Sequence, residues 1–179
     1  QKPYTAGDEE GYNMDLINRY NHNEFFSADS IHFADSLRFT TPKGKVVYGG
    51  GGIMPDIFIP LDTTDMSRYF LEVSGRNILY RYTIEYADRN RSKLNAAKSL
   101  KDLEAMFAAD RGMFNNFIDY AASKGVKPNW REINISRKIM EAQLRAYIAR
   151  NSEFDSSAFY YFIRPIDRTV QRAIEELKK

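Results

Sequence analysis

From Met66 onward the large apolar residues recur at the spacing of an α-helix, and this constrains the chain more than any other feature. Met66, Tyr69, Phe70 and Val73 stand at i, i+3, i+4 and i+7. Gly75 interrupts, and Ile78, Leu79, Tyr82 and Tyr86 resume the face. Ser99 reads as the cap of a helix carrying Leu100, Leu103 and Phe107, with Asp102 in the capping-box place. Met113, Phe114, Phe117, Tyr120 and Ala121 make the next, stopped by Gly125. A helix is expected over 136–151, with Met140, Leu144, Tyr147 and Ile148 inward. A last one carries Ile166, Val170, Ile174 and Leu177, and "DRNRSKLNAAK" reads as a polar connection. Five or six helices are therefore expected in this part of the chain.

Ahead of Pro60 the pattern differs. Asp8 with Glu9 and Glu10 looks like a helix start, followed by Tyr12, Leu16, Ile17 and Tyr20 on one face and an end near residues 21–23. "EFFSADSIHFAD" is expected as loop. Alternation at Leu37, Phe39 and Thr41, the turn residues Pro42 and Gly44, and the β-formers Val46, Val47 and Tyr48 predict an antiparallel hairpin, 37–41 with 45–48. Ile57, Phe58 and Ile59, fenced by Pro55 and Pro60, read as a third short strand. The expected fold class is mainly α with a small antiparallel β part (α+β), divided at Pro60 into 1–60 and an all-helical 61–179.

Composition excludes several classes. With 43% hydrophobic residues the chain can bury a core. Its 26 basic and 24 acidic residues leave a charge of +2, too even to argue for a nucleic-acid partner. Without cysteine it has neither disulfides nor thiolate metal sites. No apolar run approaches the roughly 20 residues that cross a bilayer, so no transmembrane segment is expected. Gln1 stands where an initiator methionine would, and the chain is expected to be cut from a longer one. The aromatic residues, 12 Tyr and 12 Phe, read as core because most fall at helical spacing.

Gly49, Gly50, Gly51 and Gly52 sit between strand-like residues. A phosphate-binding loop needs Lys and Ser/Thr after its last glycine and then a helix. Ile-Met-Pro-Asp follows Gly52 instead, and Pro55 and Pro60 block a helix, so a nucleotide site is rejected. The residues Pro42, Gly44, Gly49, Gly50, Gly51, Gly52, Pro55 and Asp56 are assigned as a structural turn, built on left-handed glycines or on close backbone approach. His22, Glu24, Asp29, His32 and Asp35 are a thin metal signal that reads better as solvated loop. Ser99 with Lys101, and Ser123 with Lys124, read as helix ends rather than Ser-Lys pairs. No catalytic, cofactor-binding or metal residue is assigned, and no cofactor is expected.

The segment "TTPKGKVVYGGGGIMPDIFIPLD" resembles the late part of the catalytic domain of carboxy-terminal processing peptidases, also called tail-specific proteases. The matching residues are Thr41-Pro42-Lys43-Gly44-Lys45 and Gly52-Ile53-Met54-Pro55-Asp56. Gln1 to Tyr4, with Tyr12, Arg19 and Tyr20, resemble a helical insertion found in one bacterial branch. The resemblance covers residues 1–62; beyond them it is only that this branch continues into a helical region. It implies a serine endopeptidase whose Ser-Lys dyad, assisting Gln and substrate-engaging PDZ domain all lie upstream of Gln1. This chain would be the non-catalytic C-terminal portion, inactive alone, of a periplasmic or cell-envelope protease. Its partners would be the upstream part of the same protease and, for the parent, protein or peptide substrates. Severed from that sheet, its strands are expected to self-associate or to lack order. The alternative is a stand-alone helical protein-interaction module. A nucleic-acid binder built on Arg68, Arg76, Arg81, Arg89 and Arg91 around Tyr69, Tyr80 and Tyr82 is weaker, because that run is amphipathic with a solvated basic side.

Overall fold

The computed structural model describes residues 6–32, 35–49 and 55–179. Gly50, Gly51 and Gly52, together with Gln1 to Tyr4, lie outside the described residues. The chain divides into two compact units, Gln1–Asp62 and Thr63–Lys179. It is mainly α with a small antiparallel β part, 64% helical.

The first unit opens with α1 (Glu9–Asn21), whose cap Asp8 accepts the Gly11 N–H at 3.1 Å. Arg19 Nε donates to Glu24 at 2.8 Å, and the Leu61 N–H to the Phe25 carbonyl at 2.8 Å, so the end of the unit returns to the loop after α1. The hairpin forms as β1 (Arg38–Thr40) and β2 (Val46–Tyr48), antiparallel, with Phe39 opposite Val47. Its turn has the expected chemistry. Gly44 donates to the Thr41 carbonyl at 2.8 Å with φ +80°, and Lys45 N–H to Thr41 Oγ1 at 3.0 Å. Pro42 at i+1 followed by a left-handed glycine is the three-residue hairpin loop with a bulge. The expected third strand is corrected: Ile57, Phe58 and Ile59 are irregular, and the sheet has two strands among the described residues.

In the second unit eight helices are described: α2 (Arg68–Gly75), α3 (Ile78–Arg89), α4 (Arg91–Ala96), α5 (Leu100–Ala109), α6 (Met113–Ser123), α7 (Trp130–Ala149), α8 (Asp155–Ile163) and α9 (Arg168–Glu176). The long α7 is the spine, with α2, α3 and α8 packed along it. Its buried residues Ile133, Ser136, Met140, Leu144 and Ile148 step by three or four. They meet Leu79 and Tyr82 of α3, Phe117 of α6 and Phe162 of α8 in one apolar core.

Two sequence expectations need correction here, and one helix falls where none was assigned. The polar connection contains α4, a helix of six residues with Leu94 fully buried. The helix expected from Ser136 begins at Trp130, where Asn129 caps it by accepting the Glu132 N–H. The aromatic run 155–163 is the helix α8, placed against α7. Other ends follow their signals. Ser99 accepts the Asp102 N–H at 3.3 Å, and Asp102 accepts the Lys98 N–H at 2.8 Å, which holds its carboxyl below the usual range. Gly125, at φ +88°, donates to Ala122 and Val126 donates to Ala121, the paired bonds of a Schellman stop.

Candidate functional site

Among the described residues of the assigned turn, Gly44 and Gly49 hold hairpin backbone. Gly49 donates to the Leu37 carbonyl at 2.8 Å, extending the hairpin ladder past Tyr48. A Cβ there would stand 3.2 Å from Phe39 Cε2, so close approach of an aromatic ring explains this glycine. Asp56 receives Lys45 Nζ rather than local backbone. That pair ties the segment after the glycine run to the hairpin turn, and both side chains are exposed, so it adds little stability.

The rejected catalytic pairs have structural occupations. Ser99 is a cap, and Ser123 Oγ donates to the Tyr120 carbonyl at 2.7 Å. Lys124 lies over the Tyr120 ring, 4.9 Å from its centre. Glu24 is held by Arg19, and among the described residues no three His, Asp or Glu side chains gather as a metal group would require. Tyr69 and Tyr82 are buried, while Tyr80 is half exposed and packs edge-on against Tyr147, so the three rings share no common open face.

Two clefts of the helical unit were not visible in the sequence. The first, about 550 Å³, lies where α3 meets the corner between α5 and α6. Tyr86 Oη donates to Asp110 Oδ2 at 2.7 Å, and Asp110 Oδ1 accepts the Gly112 N–H at 3.0 Å. Tyr82 Oη donates to the Met113 carbonyl at 2.9 Å, and Tyr120 Oη to Glu85 at 2.6 Å. Burial pushes the Tyr82 phenol up to about 12, with Arg89 opposing and Asp110 adding to the rise. Burial and the Asp110 bond push Tyr86 higher still. These phenols are protonated donors at neutral pH with their protons already committed. Arg89, Asn116 and Asp119 line the same cleft, and their side chains make no hydrogen bond or ion pair among the described residues.

The second cleft, about 450 Å³, lies between α5, α7 and the end of α8. Phe107 and Phe162 meet edge to face at its base, 5.2 Å between ring centres. Tyr161 Oη donates to Glu104 at 2.9 Å across it, a bond that raises the Tyr161 phenol. Sequence reading missed both clefts because each is assembled from helices distant in the chain.

Residues 69–152 match the model of a family described as "Family of unknown function (DUF8443)". No curated protein and no solved structure matches this chain. The matched stretch runs from α2 to just past α7 and includes every residue lining the first cleft. The second cleft is completed by residues 161–166, beyond the match.

Proposed function

We propose that this chain is the non-catalytic C-terminal portion of a serine endopeptidase of the carboxy-terminal processing type, with the Ser-Lys dyad supplied from upstream of Gln1. The observation that carries the proposal is the bareness of the first unit, since none of its described residues is buried. Leu16 of α1 is 64% exposed and Phe39 of β1 58%, with Tyr12, Ile17 and Tyr20 also open. A segment that buries so little apolar surface cannot offset the entropy of ordering itself. Its amphipathic helix and hairpin have the form of parts that pack onto a larger sheet. The ordered motif from Thr41 through Asp56 supports the same reading. In the parent a serine oxygen would attack the amide with a neutral lysine as base. The helical unit, with its own core, would be an appendage offering clefts for recognition. A cell-envelope location belongs to the same proposal.

The test is the protein encoded by the whole reading frame. It should contain a Ser and a Lys upstream and hydrolyse an unstructured protein. Replacing that Ser with Ala should abolish the activity, and residues 1–179 alone should cleave nothing. A reading frame lacking the dyad would leave a helical interaction module instead. Cleavage by residues 1–179, lost in Ser99→Ala or Lys101→Ala, would refute the assignment outright.

A further inference from the structure

We infer that the cleft between α5, α7 and α8 is a binding site for an organic monocarboxylate with an apolar body. Its base is apolar and aromatic, from Phe107 and Phe162. Ala108 of α5 and Ala142 of α7 line it with single methyl groups, which is why a space remains between these helices. On α7, Lys138, Ala142 and Arg145 follow at steps of four and three, so two cations flank the opening left by a short side chain.

The cations are poorly satisfied. The Lys138 ammonium makes no hydrogen bond or ion pair among the described residues. Arg145 has five N–H donors, yet its one bond, to Glu141, is at 3.5 Å, the outer limit. Its Nε is buried without an acceptor. The Arg145 side chain is 43% exposed, so its remaining donors are open to an anion entering the cleft. The ligand's charge follows from the lining: Lys138, Arg145 and Arg164 against Glu104 and Glu141 leave one positive charge. That complements a monoanion rather than a doubly charged phosphate. Glu104 is already held by Tyr161, and Glu141 by Arg137 at 3.9 Å and Arg145, so neither is free to prefer an ammonium group. An acyl chain and a peptide chain end both present this chemistry. The inference stands apart from the protease proposal, because it uses only groups within the helical unit.

Titration calorimetry of the full chain with octanoate, with 1-octanol and with octylamine separates charge from apolar body. Octanoate should bind at a single site, and the alcohol and amine more weakly by about tenfold or more, as the loss of a charge-assisted bond requires. Arg145→Met should reduce octanoate affinity by a similar factor without changing the melting temperature. Ala142→Leu should abolish binding by filling the space. Acetyl-Ala-Leu with a free carboxylate, run beside its amide, distinguishes the sources. If it binds more tightly than octanoate and its amide does not, a peptide end is the ligand; the reverse order assigns an acyl chain. Equal binding of octanoate and octanol, affinity unchanged in Arg145→Met, or no binding by either acid would overturn the inference.

Discussion

Ser136, in the middle of α7, accepts the N–H of Ser67 at 2.8 Å and donates to the carbonyl of Asp65 at 2.6 Å. Four residues earlier on the same helix, Glu132 accepts the Tyr69 N–H at 2.8 Å, while Ser67 caps α2 itself by accepting from Phe70 at 3.2 Å. The free N–H groups that begin α2 are thus satisfied by a neighbouring helix as well as by the local cap. Ser136 is wholly buried, so Ser136→Ala leaves the Ser67 N–H without a partner or water. The expected loss is about 1–3 kcal/mol, read as a lower urea midpoint at unchanged slope. Ser99→Ala, at an exposed cap, should lose only about 1 kcal/mol. Equal losses at the two positions would mean that the buried bond has no special weight.

The same serine shows what the sequence could and could not reveal. Expecting the helix over 136–151 puts this serine at its start, whereas the helix begins at Trp130. Its real role is tertiary, and only the partner helix discloses it. Helix α8 went unseen because Phe159, Tyr160, Tyr161 and Phe162 are consecutive, so no helical period stands out from a β-like run. Helix α4 hangs on one buried leucine in a polar stretch. Ile57 to Ile59 had the composition of a strand, but a strand also needs pairing, and no described segment pairs with these residues. By contrast Asp8, Pro42, Gly44, Ser99 and Gly125 were legible because their function is local. The clefts were not, since Arg145 and Phe107 become neighbours only through packing.

The glycines make three separable predictions. At Gly44 and Gly125 a Cβ would meet no clash, but their φ of +80° and +88° strains any L side chain. Val at either should cost about 1 kcal/mol or more. The Gly125 variant should lower the melting temperature of the helical unit, and the Gly44 variant only the order of the hairpin, seen in its amide spectrum. Gly49→Val should fail for a different reason, contact with the Phe39 ring, and Phe39→Ala should restore the hairpin signals. No rescue would show that Gly49 is constrained by something other than that ring.

Tyr69, Tyr82 and Tyr86 make the fold sensitive to alkali. Burial raises Tyr69 and Tyr82 from 10.0 to about 12, and Tyr86 further with the help of Asp110. The folded state therefore resists losing these protons while the unfolded chain gives them up near its ordinary value. Their contribution is fully present below pH 10.0 and is lost as pH rises through about 12. Tyrosinate absorbance should show Tyr69, Tyr82 and Tyr86 ionising only together with unfolding. Tyr86→Phe should shift the alkaline midpoint upward. A single titration step near the ordinary value, with helicity intact, would contradict this.

The two units should behave as differently in solution as their burial implies. Residues 63–179 hold every buried side chain described, including Tyr82, Phe117, Ile133 and Leu144, and should fold alone with the melting temperature of the full chain. In the first unit, Leu16, Phe39 and Ile57 are exposed, and each strand of a two-stranded sheet keeps one unpaired edge. Amide hydrogens of α1 and the hairpin should therefore exchange far faster than those of α3, α6 and α7. Light scattering of the full chain should show mass rising with concentration, and the 63–179 fragment should not. Phe39→Lys or Val47→Lys should suppress the association by placing charge on the hairpin. If instead the full chain is a strict monomer whose hairpin amides are as protected as those of α7, the β part is covered by this chain itself. The case for a missing protease sheet would then lose its physical basis.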